Sequence, residues 1–210
     1  MKHTMDMIVL SLFLLSVGII SLSGVLMPGP VFAAAVVKGA ENKHAGAWIA
    51  LGHSMIEVPL IIAVILGLDF IIKEFWVRTI IGITGGSLLL YMGIRMFQMR
   101  NHEEIIKKAF PIHPFIAGII TTITNPYVFL WWATIGASLI IIAIGFGIIG
   151  IISFILIHES CDLIWDYSVS YMTFKSKKLW TEKTHKYIFG IFGIVLIIFG
   201  VYFIFAFWYG

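Results

Sequence analysis

Two pairs of ionisable residues, His53 with Glu57 and His158 with Asp162, sit near the middle of long apolar stretches of this 210-residue chain. Each pair is four residues apart, so on a helix its two side chains share one face. Histidine changes charge nearest to neutral pH, and a carboxylate beside it can take a proton or an ammonium group. With Glu159 added, the same residues could ligate a divalent metal, because mixed imidazole and carboxylate donors suit several transition metals. They could also act only as hydrogen-bonding glue between helices, worth about 0.6–2 kcal/mol per contact. The sequence leaves these three readings open. Charge placed in hydrocarbon costs roughly 2.5–3.5 kcal/mol per residue. A chain that accepts this cost twice, at matching places, is expected to be building a site or path for something polar, and membrane transport is the natural use.

The elements that must carry those residues follow from composition. The chain is 60% hydrophobic and 12% charged, with mean hydropathy +1.02. Soluble domains carry about 25% charged residues, so an ordinary soluble domain is excluded. Most of the charge lies between apolar runs, as in an integral membrane protein. The pattern predicts an all-α polytopic fold, one transmembrane domain over 1–210 with six spans near 8–37, 47–68, 77–97, 114–138, 143–171 and 187–208. Five spans would follow if the uncharged joint at 139–157 were merged, but that run is too long for one crossing at about 1.5 Å per residue. Lys2 before the apolar stretch 8–20 has the look of a secretion signal. Apolarity continues through 27–37, beyond the roughly 7–15 residues of a signal core, so a retained span is expected.

Orientation is read from Lys and Arg. The segments after spans one, three and five hold eleven of them: Lys38, Lys43, Arg95, Arg100, Lys107, Lys108, Lys175, Lys177, Lys178, Lys183 and Lys186. The other side holds three, Lys2, Lys73 and Arg78. The first group is expected in the cytoplasm, with both termini outside. The net charge of +3 therefore reads as a topology signal, and no nucleic acid is expected as partner. Trp76, Trp180, Trp208 and Tyr209 fit interfacial belts.

The chain also repeats itself. Pro30-Val31-Phe32 matches Pro126-Tyr127-Val128-Phe129 at an offset of 96; His53 and Glu57 match His158 and Asp162 at 105; Gly86 and Gly93 match Gly193 and Gly200 at 107. Repeats over about 1–100 and 110–210, each with three spans, must enter the membrane in opposite senses, a common plan of secondary transporters. Gly82, Gly85, Gly86, Gly93, Gly190, Gly193 and Gly200 read as close-packing positions.

Met27-Pro28-Gly29-Pro30 cannot continue a regular helix, because each proline removes a backbone donor and clashes with the turn before it. Thr121, Thr122, Thr124, Asn125 and Pro126 are the counterpart in span four. Two broken helices could offer amide groups to a carboxylate at their positive ends; two simple kinks are the plainer alternative. The Trp131-Trp132 pair could face a substrate path or lipid.

These motifs carry a family resemblance. A Pro-Gly-Pro in the first span, and an Asn-Pro followed by the aromatic-rich run Tyr127 to Trp132, resemble the LysE/RhtB family of amino-acid exporters. The resemblance covers essentially the whole chain and is nearest to archaeal-type members, which repeat a Gly-His with a following Glu in span two and a His with a following Asp in span five. It implies export of amino acids or related small metabolites, driven by an ion gradient or the membrane potential. Val31 stands where a polar residue is common in the family, and Tyr127 where lysine is common; both departures bear on the substrate.

The leading expectation is a secondary exporter, not an enzyme, using Pro28, Gly29, Pro30, His53, Glu57, Asn125, Pro126, His158 and Asp162. No cofactor is expected, and coupling would be to protons or sodium ions; a homo-oligomer remains open. The alternative is a divalent-metal exporter using His53, Glu57, His158, Glu159 and Asp162. A thiol–disulfide carrier needs paired cysteines, and the chain has only Cys161. A hydrolase is a remote reading, since Ser54 and Ser160 adjoin their histidines in sequence and lack helical contact spacing. Asp166 reads as a wetted residue near a span's end.

Overall fold

The computed structural model describes residues 2–27, 29–67, 74–99, 112–176 and 182–209. Among these residues every regular element is helical, with no strand. In chain order they are α1 (Lys2–Val25), α2 (Pro30–Glu41), α3 (Ala45–Ile65), α4 (Phe75–Met99), α5 (Pro114–Ile123), α6 (Pro126–Gly145), α7 (Gly147–Lys175) and α8 (Glu182–Tyr209). Within α6, one π-helical stretch covers Trp132–Gly136. Four segments are long and apolar enough to cross a bilayer: Met7–Val25, Ala45–Ile65, Pro126–Gly145 and Gly147–Lys175.

The distribution of side chains is that of a membrane protein turned toward lipid. Leu12, Leu15, Ile19, Ile141, Ile148 and Ile164 are exposed, whereas Ser21, His53, Glu57, Thr122, Asn125, His158, Asp162 and Asp166 are buried. Water would favour the reverse arrangement. In hydrocarbon it is the stable one, because polar groups must find partners inside the protein. The chain is a multi-pass membrane protein.

Two expected spans are interrupted where proline demands it. The stretch 8–37 is split into α1 and α2, and 114–138 into α5 and α6. The fourth apolar stretch runs further than expected, to Gly145, because nothing stops α6 before the turn at Phe146 and Gly147. Gly147 takes φ +66° there, a left-handed conformation that glycine enters without Cβ strain. Consequently α7 starts four residues later than the expected 143 and ends at Lys175. Pro28, Lys73, Arg100, Lys107, Lys108, Lys177, Lys178 and Trp180 lie outside the described residues.

Glycines set how closely the helices approach. A Cβ on Gly52 would come within 2.1 Å of Phe115 O, and one on Gly118 within 2.2 Å of Ile49 O, so α3 and α5 meet backbone to backbone. In α4 and α8, Gly86 faces Gly200 and Gly93 faces Gly193, at 2.8 and 2.7 Å from the added Cβ to the partner carbonyl. Rising numbers in α4 pair with falling numbers in α8, so these helices are antiparallel. On the other side of α3, Gly46 would place a Cβ 1.9 Å from Asp166 O. The α3–α5 and α3–α7 contacts fix where the ionisable pairs point.

Overpacking a tight contact costs about 1–3 kcal/mol, more where backbone must move. Gly52→Ala and Gly118→Ala should each lower the melting temperature of the detergent-solubilised protein. Gly145→Ala, where an added Cβ meets nothing within 4 Å, should leave it unchanged or slightly raised.

Candidate functional site

The site begins at the two helix breaks. After Val25 the chain makes a tight turn, with Leu26 N donating to Leu22 O at 2.9 Å and Met27 N to Gly24 O at 3.2 Å. It restarts at Pro30, whose missing N–H is no loss at a first helical position. Gly29 precedes it in extended backbone, and no side chain caps the first turn of α2. The second break is built otherwise. Asn125 caps α6, its Oδ1 accepting from Tyr127 N at 3.1 Å, and Pro126 follows at the first position. The breaks adjoin: a Cβ on Gly29 would lie 3.6 Å from Asn125 Nδ2.

Beside them the two ionisable pairs form one cluster. His53 Nε2 lies 2.9 Å from Glu57 Oε2 and 3.8 Å from Asp162 Oδ1. His158 Nε2 lies 3.5 Å from Glu57 Oε2 and 3.5 Å from Asp162 Oδ2. Glu57 is thus shared between both histidines, and all four residues are buried. Each imidazole is held from behind by a hydroxyl of a broken helix. His53 Nδ1 is 2.7 Å from Thr122 Oγ1 in α5, and His158 Nδ1 is 2.8 Å from Ser21 Oγ in α1. Trp132 Nε1 donates to Glu57 Oε1 at 2.7 Å.

The cluster forms part of the wall of a cavity that encloses about 730 Å³ of non-atom space, its open mouth included. Gly29, Pro30 and Val31 from the α2 start and Asn125 and Tyr127 from the α6 start line it, with His53, Glu57, His158, Asp162 and Asp166. Trp131 and Trp132 also line it, so the pair faces the interior and not lipid. Their rings approach His158 to 5.1 and 4.9 Å between centroids. Trp131 Nε1 is buried with no hydrogen-bond partner, so a donor is left in the wall. The cavity wall therefore carries acidic groups, an uncapped helix start and a spare indole N–H.

Two expectations need correction. Asp166 is not a wetted end residue: it is buried and lines the cavity. The reason is spacing, since 158, 162 and 166 follow one another at four-residue steps on the inward face of α7. That ladder was present in the sequence. Glu159 leaves the expected metal set, because it turns to the neighbouring helix and accepts a hydrogen bond from Ser54 Oγ. A position three residues before Asp162 lies on a flank of α7, and in this packing that flank meets α3. The same contact, with Ser54 Oγ also 3.0 Å from Ala50 O, draws Ser54 away from any nucleophilic role. The hydroxyls behind the histidines and the Trp132 donor were missed: Ser21 sits in an unremarkable apolar run, and no local pattern singles out its partner 137 residues away. Cys161 is a free thiol with Sγ 3.9 Å from Gly18 O.

Comparison with known proteins gives a consistent picture. The family model described as LysE type translocator matches residues 22–206. The chain is similar to a protein of Bacillus subtilis (strain 168) named "Putative amino acid efflux protein YcgF", 28% identical over 185 residues that cover 83% of this chain and 87% of that one. No solved structure matches the chain.

Trp132→Phe keeps the aromatic wall but strips a buried carboxylate oxygen of its donor, a loss of about 1–3 kcal/mol. Thermal denaturation in detergent should show it as clearly less stable than Trp131→Phe, which removes an indole N–H that has no partner.

Proposed function

The chain belongs to the LysE type translocator family, and from that premise we propose that it is a secondary-active exporter of amino acids or similar small zwitterions. The observation that carries this reading is that two chemistries line one cavity. Glu57 and Asp162, with Asp166 behind them, suit an ammonium group. The uncapped start of α2 at Gly29, Pro30 and Val31, together with the indole N–H of Trp131, suits a carboxylate, since backbone amides and the helix dipole favour negative charge. Asn125 and Pro126 shape the wall between. His53 and His158 tune or relay the charge, and export is coupled to a proton or a sodium ion. The amino-acid efflux named for the Bacillus relative supports the substrate class.

The transport cycle on this reading is alternating access between two inverted three-span repeats, over about 1–100 and 110–210, rocking about the cluster. Two sets of contacts support it. Exchanging positions at the offset of 107 turns the Gly86–Gly200 contact into Gly193–Gly93, which is also present. A hydroxyl ahead of each proline break also meets the histidine of the other half, Ser21 with His158 and Thr122 with His53. The excess of Lys and Arg in the segments after the first, third and fifth spans supports a cytoplasmic side for those segments, with both termini outside.

Efflux from proteoliposomes loaded with an amino-acid mixture, with and without a pH gradient, tests the function. Glu57→Gln and Asp162→Asn each remove a charge-assisted contact of about 1.5–3 kcal/mol, so transport should fall by roughly 10–100-fold. Undiminished efflux in both variants would reduce the cluster to a packing device. Orientation is checked separately: in a Cys161→Ser background, Lys43→Cys should react with an impermeant maleimide only from the cytoplasmic side, and Glu74→Cys only from outside.

A further inference from the structure

The converging atoms of the cluster, His53 Nε2, His158 Nε2, Glu57 Oε2 and both Asp162 carboxylate oxygens, crowd acceptors together. Thr122 Oγ1 donates to Gly118 O at 2.6 Å, which spends its only proton. It can then only accept from His53, so His53 Nδ1 carries a ring hydrogen, and in the neutral ring Nε2 presents a lone pair. That lone pair faces Glu57 Oε2 and Asp162 Oδ1, which are themselves acceptors. Glu57 Oε2 and Asp162 Oδ2 are buried and make no hydrogen bond, their side chains being only 4% and 9% exposed. Acceptors that face one another in a buried cluster need positive charge between them, supplied by added protons or by a bound cation.

The spacing identifies the kind of cation. Metal–nitrogen and metal–oxygen bonds of about 2.0–2.2 Å in tetrahedral geometry give ligand–ligand edges of about 3.3–3.6 Å. The four nitrogen–oxygen separations here are 2.9, 3.5, 3.5 and 3.8 Å, the two to Asp162 reaching different oxygens of its carboxylate, and they bracket that value. Three of them are too long for hydrogen bonds. The donor atoms of His53, Glu57 and Asp162 all lie within 4.8 Å of one another, with His158 Nε2 adjoining both carboxylates. Three of the four donors are also held from the far side: His53 by Thr122, His158 by Ser21 and Glu57 by Trp132. Such outer partners fix ring orientation and tautomer at metal sites. Imidazole nitrogens exclude a calcium- or magnesium-type oxygen cage, and no thiolate takes part.

We infer that His53, Glu57 and Asp162, with His158 as fourth ligand, form a binding site for one divalent first-row transition-metal ion of the zinc or cobalt type. The ion occupies the point where a substrate ammonium would sit, so the two exclude each other. Binding itself does not depend on the exporter reading and is measured without transport.

The test titrates tag-free protein in detergent with Co2+. One Co2+ per chain should bind with the intense visible absorption of tetrahedral coordination, and Zn2+ should displace it and bleach the colour. Asp162→Asn and Glu57→Gln should weaken binding at least about tenfold. Thr122→Val should weaken it by about 10–100-fold, as loss of an outer partner does, and Thr122→Ser should restore it. Glu159→Gln should bind as the natural protein does. The inference is overturned if the folded natural protein, its helicity and melting checked by circular dichroism, takes up no Co2+. It is equally overturned if Co2+ binds with the weak spectrum of six-coordination, or if binding is indifferent to Asp162→Asn and to Thr122→Val. Metal uptake without amino-acid efflux would uphold this site and sink the exporter reading; efflux without uptake would do the opposite.

Discussion

Lone pairs crowded together inside a low-dielectric interior are the constraint to which the rest of this protein answers. Two carboxylates and two imidazoles meet at mid-helix in α3 and α7, where all four are buried. Removing a compensating charge from such a buried group costs several kcal/mol. The cluster is therefore stable only while something positive is lodged in it, be it protons, an ammonium group or a metal ion. A chamber whose stability depends on its cargo is a natural starting point for a carrier, since emptying and refilling it changes the energy of the whole structure.

Getting those atoms together requires backbones that nearly touch. Gly46, Gly52 and Gly118 let α3 lie flat against α7 and α5, and this brings side chains from distant parts of the chain within hydrogen-bonding reach. The proline breaks complete the arrangement. Were α1 and α2 one continuous rod, the backbone at Gly29 could not turn toward Asn125, and the cavity would have no polar floor. The interruption that costs helix stability thus creates the free backbone groups that a ligand can use.

Much of this was legible in the sequence because the signals are chemical exceptions in an apolar background. His53, Glu57, His158 and Asp162 stand out, as do the prolines, and their four-residue spacing predicts the shared face the structure shows. Boundaries were harder: 139–157 is uniformly apolar, so only Gly147, with its positive φ, fixes the turn between α6 and α7. Asp166 was misjudged because nearness to a span's end was weighed above its register with Asp162. Glu159 failed for the opposite reason, being acidic and close in sequence but set on another flank of the helix. Ser21, Thr122 and Trp132 became partners only through packing across long stretches of chain, which no local pattern encodes. Pro28 lies outside the described residues.

The unequal capping of the two broken helices has a stereochemical consequence. Asn125 closes the start of α6 on itself, while Gly29 leaves the start of α2 open. On the proposed reading, a zwitterion has one end fixed at α2 and the other at the acids of α3 and α7. With both ends pinned, the remaining substituent on its central carbon faces either the indole wall or the opposite side. Two pinned ends alone do not separate mirror-image molecules; the indole wall, as a third point of contact, would give the chamber a handedness of its own.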